Sequence, residues 1–188
     1  MAHLHAAETA LFAGLDRVLF VPAGDPWQKT DREVTAVEHR VAMTRISIEG
    51  IDGFEIDLQE TERQGPSYTI DTLESFPDDD ELFLILGADA AAGIHSWHRA
   101  EDVLDRARMI VVPRPGTPPS AVTEALPGAL RLEMAALDLS STMIRAMAAE
   151  GRPYRFLVPE GVYGYILAEN LYAKPETGDR VDQIIREE

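Results

Sequence analysis

Three unbroken apolar runs restrict the fold of this chain more than any other feature. They are Arg17-Val-Leu-Phe-Val21, Glu81-Leu-Phe-Leu-Ile-Leu-Gly87 and Arg108-Met-Ile-Val-Val-Pro113. Each is too short for a buried helix, rich in β-branched or large apolar residues, and ends at or beside glycine or proline. Such runs predict strands buried on both faces, which is the mark of a parallel sheet. The run at 81–87 is the most hydrophobic and is expected at the sheet centre. Two weaker strands are expected at Gly53–Leu58, where acidic and apolar residues alternate as on an edge strand, and at Leu130–Met134.

Helical patterns lie between the strands. Leu4, Ala7, Leu11 and Leu15 are at helical spacing, with Gly14 as a stop. Thr35-Ala-Val-Glu38 has the form of a capping box opening a helix to Glu49. Further helices are predicted over Tyr68–Phe76, Ala88–Gly93, Ala100–Ala107, Ala121–Leu126, Met143–Glu150 and Glu160–Glu169, the last behind Pro159. Strands alternating with helices in this way predict an α/β protein, a doubly wound parallel sheet in one domain over residues 1–172. Residues 173–188 are expected to be an acidic, frayed tail.

Composition narrows the function. Lys and Arg total 17 against 33 Asp and Glu, a net charge of −16. That surface repels polyanions, so nucleic acid is not an expected partner. A small phosphorylated substrate needs only a local positive cluster, within a Debye length of ~8 Å. The chain has no cysteine, which removes disulfides, thiolate metal sites and cysteine nucleophiles and fits a cytoplasmic location. No apolar run is long enough for a membrane span. The opening residues MAHLHAAETALF lack a basic region and a cleavage site, so no secretory signal is expected.

Ligands of doubly wound folds bind at the carboxyl ends of the strands. Several residues there admit two readings. Lys29, in the loop after the first strand, reaches either a phosphate or only water. Gly87 and Asp89 end the 81–87 strand, where glycine allows close approach and the carboxylate can accept from ribose or adenine. Arg114 follows the 108–113 strand as a cation at the same edge. Thr69 opens a helix whose free N–H groups suit a carboxylate. Trp97 offers a ring for stacking, or packs under its loop. His3 starts the first helix, either as a donor to phosphate or as an exposed terminal histidine. In Asp138-Leu-Ser-Ser-Thr-Met-Ile-Arg145, Ser140 is a natural N-cap. With Thr142 and Arg145 it forms either a capped surface helix or an anion site. His39 and His95 have no neighbours in sequence that suggest metal ligation, and no Ser-His-Asp set or HExxH-type motif is present.

Taken in order, AHLHAAE, VLFVPAGDPWQK, Glu38-His-Arg40, GPSYTIDTL, ELFLILGADA, SWHR, VVPRPG, LSSTMIR and the terminal YRFLVPEGVYGYI–NLY resemble bacterial nicotinate-nucleotide adenylyltransferases, of the HxGH nucleotidylyltransferase superfamily. The resemblance covers Ala2 to Tyr172 and implies a Rossmann-like nucleotidylyltransferase fold. It implies adenylyl transfer from ATP to nicotinate mononucleotide, with Mg²⁺ carried by ATP and no metal ligand assigned to the protein. It also implies that His3, Gly87, Asp89, Ser140, Thr142 and Arg145 bind ATP, with His3 and Arg145 catalytic, and that Thr69, Trp97, Lys29 and Arg114 bind the second substrate. His3 matches the second histidine of HxGH, with Ala2 in place of glycine. The family's first strand, its phosphate-binding turn and the first histidine would precede Met1, so the first strand is expected to be missing from this chain, through a start codon assigned too late or a truncated product. Two alternatives stay open: a transferase for nicotinamide mononucleotide or phosphopantetheine, and a non-catalytic nucleotide-binding paralogue.

Overall fold

A computed structural model describes residues 1–25 and 34–173. Two compact units are present, Met1–Leu139 and the chain from Ser140 onward. The expected tail and Lys29 lie outside the described residues.

In the first unit, helix α1 (Ala2–Phe12) leads to β1 (Val18–Phe20). Gly14 stops α1 as expected, at φ +110°, a conformation that side-chain-bearing residues rarely adopt. Helix α2 (Val37–Ile48) follows, then β2 (Phe54–Ile56), which pairs in parallel with β1 in the register Val18 opposite Phe54. Ala7, Ile48 and Phe54 are buried between these elements, and the Phe20 and Phe54 rings lie 5.1 Å apart. Gly53 takes φ +80°, a conformation that side-chain-bearing residues rarely adopt.

After the short helices α3 (Gln59–Glu62) and α4 (Thr69–Leu73) come β3 (Phe83–Gly87), α5 (Ala88–Ala92), α6 (Ala100–Arg106), β4 (Arg108–Val112), α7 (Pro119–Ala125) and β5 (Leu130–Arg131). Strands β3, β4 and β5 form a parallel sheet in that order, with Gly87 opposite Val112. The main core lies over this sheet, where Ile70, Ile94 and Val103 are essentially inaccessible. In the second unit, α8 (Ser141–Ala149) is followed by a 3₁₀ turn at Arg155–Leu157 and by α9 (Glu160–Ala168), which Pro159 precedes as its N-cap.

The α/β class and the parallel pairing agree with the sequence, and three particulars differ. The described strands form two parallel sheets, β1–β2 and β3–β4–β5, in place of one. The centre of the larger sheet is β4, and β3 is at its edge. Met109, Ile110 and Val111 are buried in succession on β4, whereas Leu86 is the only fully buried residue of β3. The capping box at Thr35–Glu38 does not form: α2 begins at Val37 behind Ala36 with no side-chain cap. Thr35 thus lies one residue outside the cap position, and its carbonyl accepts from Arg40 Nε at 3.0 Å. Helix α4 is also shorter than predicted, with Ser75 and Phe76 already in turns.

Candidate active site

The pairing of Gly87 with Val112 sets the ends of β3 and β4 side by side, so that Asp89 and Arg114 extend from one sheet edge. Arg114 Nε lies 3.7 Å from Asp89 Oδ2, and Arg114 Nη1 donates to the Leu139 carbonyl at 2.9 Å. The Asp89 side chain is 59% exposed and that of Arg114 29% exposed. This is a loose ion pair, worth little for stability, and both groups remain accessible to a polar ligand. An added Cβ at Gly87 would meet Asp89 Oδ1 at 2.6 Å. The missing side chain at Gly87 therefore leaves room for the carboxylate to turn back over the strand end.

The loop after β1 is secured by two residues that sequence reasoning left without a role. Ser67 Oγ accepts from the N–H groups of Gly24 (2.9 Å) and Asp25 (3.2 Å), and Ser67 N–H donates to Asp25 O at 2.8 Å. Arg40 donates to the carbonyls of Ala23 and Gly24 as well as Thr35. Gly24 is packed so tightly that a Cβ would fall 2.1 Å from the Glu60 carbonyl oxygen. Gly24→Ala is expected to destabilise the protein by about 1–3 kcal/mol through overpacking against backbone, readable as a lowered urea midpoint. An unchanged midpoint would show that this loop moves aside without cost.

Thr69 and Trp97 each adjoin one member of a stacked ring pair, Tyr68 and His98. Thr69 is the first residue of α4, whose N-cap, Tyr68, supplies no side-chain hydrogen bond. The Tyr68 ring stacks on His98, centroids 4.1 Å apart and planes 27° from parallel. Trp97 is partly buried against the core and also lines an open cleft with His95, Arg99 and Asp102. Trp97 therefore packs in part against the core and in part lines the cleft. Arg99 bonds Glu74 with two nitrogens and Asp102 with a third. The hydrogen bond from Arg99 holds the Glu74 carboxyl below its usual range, and Glu74 raises Arg99 in return. His95 Nε2 lies 2.9 Å from the Ala125 carbonyl, and His3 is exposed near the start of α1.

In the second unit, Ser140 caps α8 as the sequence predicts, its Oγ accepting from Met143 N–H at 3.1 Å. Arg145 Nη2 donates to Thr142 Oγ1 at 3.3 Å. One helix start thus gathers hydroxyls, N–H groups and a guanidinium, a set that suits phosphate oxygens.

A parallel α/β sheet with Gly-x-Asp and Arg at its strand ends is the arrangement at which α/β folds bind ligands, and comparison with known proteins defines the class as a nucleotidyltransferase. The cytidylyltransferase-like family matches residues 1–147. The chain is 41% identical to a probable nicotinate-nucleotide adenylyltransferase of Mycolicibacterium smegmatis, with 99% of this chain and 93% of that protein covered. A protein of the same description from Streptomyces coelicolor is 44% identical, over 90% of this chain and 93% of its own length. Among solved structures, Plasmodium falciparum nicotinic acid mononucleotide adenylyltransferase complexed with NaAD superposes with a TM-score of 0.72 at 18% identity, covering 91% of this chain and 89% of that one, a likeness of fold. The chain belongs to the nicotinate-nucleotide adenylyltransferase family.

Proposed function

We propose that this chain joins ATP to nicotinate mononucleotide, giving nicotinate adenine dinucleotide and pyrophosphate in NAD biosynthesis, in the cytoplasm. The observation that carries this reading is the placing of Gly87, Asp89 and Arg114 together at the ends of β3 and β4, in a chain of this family. The mononucleotide phosphate attacks the α-phosphorus of ATP in line, and pyrophosphate leaves. The attacking group is already an anion at neutral pH, so no protein nucleophile is required. Catalysis then consists of positioning and charge stabilisation.

In this reading His3 and Arg145 stabilise phosphate charge, and Ser140 and Thr142 hold ATP phosphate oxygens with them. Gly87 and Asp89 receive the adenosine part. Thr69, through its backbone N–H, takes the nicotinate carboxylate, Trp97 stacks on the pyridine ring, and Arg114 and Lys29 contact the second substrate. Family members use a divalent metal with ATP, and Mg²⁺ is the finer proposal. Among the described residues no three His, Asp or Glu side chains gather into a metal cage. Such a hard cation would be carried by triphosphate oxygens and water and would supply charge neutralisation on the departing pyrophosphate.

The test is a side-by-side assay of nicotinate and nicotinamide mononucleotides with ATP, followed by pyrophosphate release. Turnover of the acid at least tenfold above the amide is expected, because an N–H aimed at a carboxylate makes a charge-assisted bond that the amide cannot match. Preference for the amide, or for a phosphopantetheine substrate, would move the chain to a neighbouring activity. Nucleotide binding without turnover of any of these would make it a non-catalytic paralogue.

A further inference from the structure

Both caps of the five-residue helix α4 are held by two consecutive residues of another loop. Its N-cap, Tyr68, stacks on His98. Its C-cap, Glu74, receives a bidentate bond from Arg99, with Nη1 to Oε2 at 3.1 Å and Nη2 to Oε1 at 2.6 Å. Arg99 is itself held from below by Asp102, in the first turn of α6. Its backbone is left-handed, φ 51° and ψ 47°, one of three described non-glycine residues with positive φ. A bulky residue adopts that conformation uncommonly, and here its side chain is bonded on both sides, to Glu74 and to Asp102. Trp97 stands two residues before Arg99, and Thr69 next to Tyr68. The two ties therefore fix the separation between the Trp97 ring and the start of α4.

We infer that Arg99 is a positioning residue for the acceptor substrate, setting the distance between Trp97 and the Thr69 N–H by clamping α4 at Glu74. The inference rests on the proposed reading in which these two groups hold the nicotinate ring and its carboxylate. The clamp is a surface ion pair, its side chains 40% and 48% exposed, so its contribution to global stability is small. Its effect is geometric: a shift of about 1 Å between two groups that grip one planar ring weakens binding of that ring and leaves ATP alone.

The experiment is steady-state kinetics on the full chain, together with quenching of Trp97 fluorescence by nicotinate mononucleotide in a Trp27→Phe background. Arg99→Ala is expected to raise KM for nicotinate mononucleotide about tenfold, with KM for ATP and kcat within about twofold. Arg99→Gly relieves the left-handed backbone but removes the clamp, and should match Arg99→Ala. Glu74→Ala should reproduce the defect, and the double variant should be no worse than either single one, since both remove the same contact. Arg99→Lys keeps the charge without the fork and should recover part of the loss. Wild-type KM in Arg99→Ala, recovery in Arg99→Gly, or additive effects of Arg99 and Glu74 would each overturn the inference. So would parallel losses for both substrates accompanied by a fall in thermal midpoint. If the wild-type chain itself does not turn over nicotinate mononucleotide, the functional reading falls first and takes the inference with it. If wild type is active and the variants are indistinguishable from it, the inference alone falls.

Discussion

Ile94→Ala should destabilise the protein by about 2–5 kcal/mol, the range for deleting most of a large aliphatic side chain from a packed core. Ile94 is 0% exposed and lies in the 3₁₀ turn that carries the chain from α5 to Trp97. It belongs to the core with Ile70, Leu73, Val103 and Met109, against which Trp97 packs. The truncation both loses apolar burial and leaves a void that its neighbours, anchored on β3, β4 and α6, fill incompletely. For a chain of this size the loss corresponds to a fall of about 4–20 °C in thermal midpoint. Denaturant titration checks it, with Phe156→Ala as the comparison: that ring is 90% exposed, so its removal should stay within about 0.5 kcal/mol. Equal effects from the two substitutions would show that Ile94 does not anchor the core.

The contrast between these two positions shows what sequence can reveal. Residues 81–87 and 108–113 are apolar enough that their strand character could be read directly, since hydropathy and strand burial are the same local signal. Which of them is central could not be read. Pairing depends on hydrogen bonds to other strands, and Phe83–Gly87 and Arg108–Val112 are both short, largely apolar runs whose own residues do not say which has a neighbour on each side. Ser140 was legible because a cap bond spans three residues and needs nothing from elsewhere. Thr35 failed by the same logic in reverse. The helix starts one residue later than the pattern requires, in a stretch that Arg40 ties to the Ala23 and Gly24 carbonyls, distant in sequence.

The site divides in the same way. The placement of Gly87, Asp89 and Arg114 after strand ends was legible from a rule about topology that needs no contacts. The link between Glu74 and Arg99 spans 25 residues, and nothing in either local segment announces it. A Glu-rich helix end and an Arg before a helix are ordinary features by themselves. Ser67 is similar: it sits in the Gly-Pro-Ser-Tyr turn that drew attention to Thr69, yet its hydroxyl serves Gly24 and Asp25.

On the proposed reading, Arg145→Ala should lower kcat/KM by a factor of about 10–150. That factor corresponds to the roughly 1.5–3 kcal/mol expected for hydrogen bonds between a charged donor and phosphate. Arg145 lies in the second turn of α8 and donates to Thr142 Oγ1 at 3.3 Å. That contact is long and exposed, so its loss alone costs little. A large kinetic effect would therefore have to come from the substrate side. Three controls separate the causes. Thr142→Val removes the internal bond together with the hydroxyl that this reading places on phosphate, but keeps the guanidinium, and should cost less than Arg145→Ala because a neutral hydrogen bond is weaker than a charge-assisted one. Ser140→Ala removes the cap bond to Met143 N–H and should cost about 1 kcal/mol of stability, so a midpoint shift identifies damage to the helix itself. Arg145→Lys keeps a positive charge without the planar fork and should recover part of the rate. The charge-dependent part should shrink as ionic strength rises, because a half-exposed guanidinium is screened by salt. A wild-type kcat/KM in Arg145→Ala would remove this residue from the ATP site and leave the start of α8 as a capped surface helix.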